Sequence, residues 1–117
     1  MKKIIFSFLG VILALGIFYG CDRQSDQAST DEIKIGVILG FTGPIESLTP
    51  TMASSAELAM KEVSDSGLLL GGASVSSVRA DSTCVDAGAA TSAAERLVTS
   101  DNVAAIMGAD CSGVTTA

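Results

Sequence analysis

Val103-Ala104-Ala105-Ile106-Met107-Gly108-Ala109-Asp110-Cys111-Ser112-Gly113-Val114-Thr115-Thr116-Ala117 decides how this chain is read. The apolar run from Val103 to Met107 predicts a buried strand. A loop of small residues follows, and then hydroxyl residues and glycine that can open a helix. A strand that turns through such a loop into a helix leaves backbone N–H groups without partners. With the helix dipole, those groups suit a negative charge. The stretch therefore predicts one side of a pocket for a small carboxylate. A blander reading stays open, in which Ser112, Thr115 and Thr116 only cap a helix. The stretch stops where that helix is expected to extend, so residues 33–117 read as the incomplete N-terminal part of a larger lobe.

Moving upstream, Asp86 is placed to cap a helix that runs to about Ser100. Ala90, Ala94, Leu97 and Val98 form its apolar stripe, extended by Ala87. So many alanines predict close packing of helix on sheet. Ala73–Ala80 reads as a strand rich in serine. Before it, Thr49 reads as an N-cap with Pro50 at the first helical position. Met52, Ala56, Ala59, Met60 and Val63 follow at helical spacing, Glu57 and Lys61 form an i,i+4 pair, and Gly67 closes the helix. The β-branched run Ile33–Leu39 is the first strand, expected to be central and buried on both faces, and it ends at the turn Gly40-Phe41-Thr42-Gly43-Pro44. The order β-α-β-α-β predicts an α/β fold with a parallel three-stranded sheet, the start of a Rossmann-like lobe. Ligands of such sheets bind at the loops beyond the strands' carboxyl ends, here Gly40–Thr49, Asp81–Val85 and Gly108–Thr115.

The N-terminus is of another kind. Met1-Lys2-Lys3 precedes a nearly unbroken apolar run from Ile4 to Tyr19, closed by Gly20-Cys21. Residues 1–20 read as a signal peptide and residues 21–32, largely polar, as a flexible tether. A small residue before cysteine resembles the lipobox of bacterial lipoproteins, although Phe18 and Tyr19 depart from it. On that reading Cys21 carries a lipid and anchors the chain at the membrane. An ordinary secretory signal and an uncleaved anchor remain alternatives, and all of them place the domain outside the cytoplasm.

Composition narrows the function. From Cys21 onward five basic residues face thirteen acidic ones, a net charge of −8, which argues against a nucleic-acid partner. The chain has no His, the commonest general base and metal ligand. Asp81 and Asp86 are its only paired carboxylates outside ordinary surface acids, so no enzyme is expected. Gly40–Pro44 lacks GxGxxG spacing, the P-loop pattern is absent, and no cofactor or metal is expected. In an exported chain Cys84 and Cys111 suit a disulfide joining two of the three loops, with free thiols as the alternative.

The segments IKIGVILGFTGPIESL, AELAMKEV, DSTCVDAGAATSAAERLV and VAAIMGADCSGVTTA resemble the leucine/isoleucine/valine-binding proteins, type I periplasmic solute-binding proteins of ABC importers. The resemblance spans about Ile33 to Ala117. It implies a two-lobed receptor, of which this would be lobe I, that closes on an amino acid, branched-chain ones included, or a related small carboxylate and delivers it to an ABC permease in the membrane. It implies a Cys84–Cys111 disulfide. It also implies that Ser112 hydrogen-bonds the ligand carboxylate, assisted by the backbone around Gly113 and Thr115. Leu48 aligns with a position where the family carries an aromatic over the ligand, and leucine departs from that pattern. A ligand-sensing ectodomain of the same fold is the second reading.

Overall fold

A computed structural model describes residues 31–117, so the expected signal peptide and the lipidation site Cys21 lie outside the described residues. Three strands, β1 (Glu32–Leu39), β2 (Ser74–Asp81) and β3 (Ala105–Met107), form one sheet in the order β2-β1-β3. Both pairings are parallel, with Glu32 opposite Ser74, Leu39 opposite Asp81, and Ile35 opposite Ala105. Helices α1 (Thr49–Ser66) and α2 (Ala87–Thr99) make the two crossovers, and α3 (Ser112–Thr115) is a single turn after β3. A short 3-10 turn, Leu69–Gly71, joins α1 to β2. The parallel α/β order read from the sequence is the one found.

Alternation along β1 divides the core in two. Val37 and Leu39 pack with Ala53 of α1, flanked by Phe41 and Met60. Ile38 packs with Ala80 of β2 and Leu97 of α2, flanked by Val78, Ala93, Ala94, Val103 and Ala109. The helices therefore cover opposite faces, and the carboxyl-terminal half of β1 is buried on both, as its β-branched run predicts. Small residues set the spacing on the α2 face: a Cβ added at Gly36 would lie 2.9 Å from Leu97 Cδ1.

Several local expectations need correction. Val103–Met107 is not a buried strand: β3 is shorter, and Ile106 and Met107 are exposed because β1 is its one neighbour among the described residues. The inward face of α1 is also different. Ala53 is fully buried and Ala56 and Met60 partly so, whereas Met52, Ala59 and Val63 are exposed. The cause is polar. The Thr49 hydroxyl donates to Gly40 O at 3.0 Å, and Val75 N donates to the Ser64 hydroxyl at 2.8 Å. These two contacts turn the 49-53-56-60-64 row toward the sheet, a helical stripe that includes two hydroxyl residues. Thr49 is thus not a side-chain cap; Leu48 holds the N-cap position and makes no side-chain cap.

On α2, Ala90 and Leu97 are buried but Ala87 and Val98 are exposed. Glu57 does not pair with Lys61. It takes a two-pronged ion pair from Arg79 of β2, at 2.7 and 2.8 Å, while Lys61 pairs with Asp65 at 2.6 Å. The Asp86 carboxylate caps α2 by accepting from Ala89 N at 3.0 Å, and Gly67 closes α1 in the left-handed conformation at φ 64°, both as the sequence predicts.

Candidate functional site

Three loops gather at the carboxyl edge of the sheet because parallel strands bring their ends together. They are the β1–α1 loop, the β2–α2 loop and the β3–α3 loop. A disulfide between Cys84 and Cys111, with the Cα atoms 5.2 Å apart, joins the second to the third. This settles the choice between paired and free thiols.

Two carboxylates complete the tie. Asp110 accepts the Gly40 N–H on both oxygens, at 3.2 and 3.1 Å, and so fastens the β3–α3 loop to the end of β1. Asp81 accepts the Thr42 hydroxyl at 2.6 Å, the Thr42 N–H at 3.3 Å and the Thr83 N–H at 2.8 Å. Burial works against ionisation of Asp81. The Thr42 hydroxyl and the N–H groups of Thr83, Thr42 and Phe41 outweigh it and hold its pKa below the usual aspartate value. Only the Asp81–Thr83 contact, two residues apart, is local; the ties to Gly40 and Thr42 span 70 and 39 residues, and nothing local in the sequence marks them.

Close packing follows from the ties. Gly43 has φ 94°, and a Cβ there would come within 2.5 Å of Thr83 O, so this turn admits no side chain without movement. Thr83 and Cys84 are themselves left-handed, at φ 58° and 69°. Such residues persist where surrounding contacts over-determine them, here the Asp81–Thr83 hydrogen bond and the disulfide. Beneath the loops, Ser82 is fully buried, donates its N–H to Leu39 O at 2.9 Å, and has no protein partner for its hydroxyl among the described residues.

The candidate ligand residues sit on this edge unequally. Ser112 and Gly113 open α3 and are exposed. Their N–H groups belong to the first turn, which has no carbonyl of its own to bond. Cys111 at the N-cap makes no side-chain cap. Thr115 is committed elsewhere: its hydroxyl is shared between Ala109 O at 3.0 Å and Cys111 O at 2.9 Å. That leaves Thr115 no proton for a carboxylate and makes it a brace for the turn. Leu48 is 60% exposed at the head of α1. It lies on the same sheet edge as Ser112, and no hydrogen bond among the described residues joins the two. An open cleft of about 260 Å³ lies beside the site, between α2, β3 and α3. Its lining is mostly apolar, with Ile38, Ala90, Ala94, Ile106 and Val114, but also includes Thr91, Glu95 and Thr115. It includes neither Ser112 nor Leu48, and the Glu95 carboxylate does not suit a second carboxylate beside it. Among the described residues no cluster of His, Cys, Asp and Glu is placed to hold a metal ion, and no helix is long and apolar enough to cross a membrane.

The arrangement is a stapled rim of backbone and hydroxyl donors at the carboxyl edge of a parallel sheet. No curated protein matches the chain. A family model described as periplasmic binding protein matches residues 32–117, which span all three strands and all three loops. With its parallel sheet and stapled edge, the chain belongs to the periplasmic binding protein family, in its type I form.

Proposed function

We propose that this chain is the receptor of an ABC importer that binds an amino acid or a related small carboxylate outside the cytoplasm, and that lipid on Cys21 holds it at the membrane. Family membership supports extracytoplasmic solute binding, with a transporter in the membrane as the partner. The carboxylate is argued from the α3 turn. The Ser112 hydroxyl and the N–H groups of Ser112 and Gly113 are exposed on a turn that the Cys84–Cys111 disulfide and the Asp110 contact hold in place. Fixed donors suit an anion because they need no reordering when it arrives. Leu48 supplies an apolar neighbour on the same edge.

The single observation that carries this reading is the unengaged Ser112 hydroxyl at the start of a stapled turn. Titration of the ¹⁵N-labelled chain with leucine, alanine and acetate tests it. The amide signals of Ser112 and Gly113 should move with each carboxylate and not with an uncharged amide such as acetamide. Ser112→Ala should weaken binding by about 1 kcal/mol, roughly fivefold, for the loss of one hydrogen bond in water. Shifts confined to other loops, or an unchanged affinity in Ser112→Ala, would return Ser112 to a merely structural place in the turn.

A further inference from the structure

Leu68 and Leu70 are 87% and 81% exposed, the most exposed large apolar side chains among the described residues. They lie in the turn between α1 and β2, and that turn is well fixed. Gly72 N and Ala73 N both donate to Leu69 O at 2.8 Å, and Leu68 N donates to the Ser66 hydroxyl at 3.2 Å. Leu70 has φ 44° and ψ 40°, a left-handed backbone where leucine is unfavourable and glycine or asparagine is not. Two local rules are thus broken in one turn: leucine faces water, and leucine adopts a left-handed backbone. Such conflicts with local preference gather where a surface has a use.

Position says what the use is. β1 and β2 run parallel, with Glu32 opposite Ser74, so this turn lies at the end of the sheet where the chain enters β1. The candidate site lies at the other end. Residues 22–31 separate Cys21 from Glu32. A stretch of that length reaches at most about 33–36 Å when fully extended. Residues 66–78 contain no charged side chain, so the turn itself carries no ion into lipid, and the exposed Asp31 and Glu32 at the same end of the sheet limit the insertion to the headgroup boundary. The nearby Asp65 is already paired with Lys61 at 2.6 Å. The acidic balance of the chain disfavours an anionic surface and fits a zwitterionic one.

We propose that Leu68 and Leu70 insert into the zwitterionic bilayer surface to which Cys21 tethers the chain, which turns the candidate site away from the membrane. This rests on the reading of Cys21 as the lipidated residue. The chain has no Trp, so single tryptophans report cleanly. The full-length lipidated protein would carry Leu70→Trp or Leu68→Trp, with Val85→Trp, exposed at the opposite end, as the reference. Each would be reconstituted in phosphatidylcholine vesicles with or without brominated acyl chains. Interfacial insertion reaches the acyl boundary, so bromolipid should quench the residue 68 and 70 probes about twofold or more and leave the Val85 probe nearly unchanged. Equal quenching at both ends in protein that floats with the vesicles would overturn the insertion alone. Failure to float would overturn the Cys21 reading and the insertion with it. Emission from the residue 68 and 70 probes that is blue-shifted before any lipid is added would show a protein contact over the turn and overturn the proposal as well.

Discussion

Asp81 ends β2 with its carboxylate bonded to the β1–α1 loop, and its charge is part of the fold. Its pKa in the folded chain lies below the ordinary value of 3.8. The folded state therefore holds its proton less readily than the unfolded state does. The contribution is fully present above the ordinary aspartate range and is lost as pH falls through the lowered value. Asp81→Asn keeps one acceptor and removes the charge, so it should cost stability near neutral pH and flatten the acid limb of the stability curve. Urea unfolding at a series of pH values between about 6 and 2 checks this. Glu57, lowered in the same direction chiefly by the Arg79 side chain and then by Ser77, should leave a smaller slope in the variant. An acid limb identical in wild type and Asp81→Asn would show that the Thr42 and Thr83 contacts do not hold the charge. The role of Asp86 is legible from the sequence because its partner, Ala89, is three residues away. The ties of Asp81 to Thr42 and of Asp110 to Gly40 are not, because those partners arrive only when the strands pair.

Among the elements, order was easier to read than facing. The β-branched Ile33–Leu39 run, the Asp86 cap and Gly67 are local signals, and the elements they bound are found within a residue or two. The inward face of α1 is not local. Met52 and Val63 are more apolar than Thr49 and Ser64, yet the hydroxyls face the sheet because Gly40 O and Val75 N offer them partners. A buried hydroxyl with a backbone partner is no worse off than one in water, so hydropathy alone misdraws the stripe. The disulfide is the tie whose removal reads most directly on how the elements hold one another. Cys84 and Cys111 close a loop of 27 residues. Chain entropy puts its worth at about 3–4 kcal/mol. Reduction, or the paired change Cys84→Ser with Cys111→Ser, should lower unfolding stability by about that much and release the left-handed Thr83–Cys84 segment. Denaturant midpoints with and without reductant measure it. A loss under about 1 kcal/mol would mean that Asp81 and Asp110 alone hold the three loops.

At the scale of the whole molecule, parallel topology sets function more than any single side chain does. It collects three loops at one end and leaves the α1–β2 turn and the route toward Cys21 at the other. On the proposed reading of Cys21 and Ser112, a donor turn at one end and an apolar, uncharged turn at the other suit a solute receptor tethered to a membrane. The rim is nonetheless open. Ser112, Gly113 and Leu48 are all exposed, so a carboxylate resting there keeps much of its water. Two or three hydrogen bonds made in water contribute about 0.5–1.5 kcal/mol each. Their sum is about 4.5 kcal/mol at most, which corresponds to a dissociation constant of about 0.5 mM or weaker. Calorimetric or NMR titration of residues 31–117 with leucine and with acetate should therefore give millimolar affinity, little discrimination between the two, and no dependence on the branched side chain. Micromolar binding would require a solute enclosed on more sides than this rim provides. A strong preference for leucine over acetate would instead make Leu48 a working wall of the site, despite its exposure and the distance in sequence that separates it from Ser112.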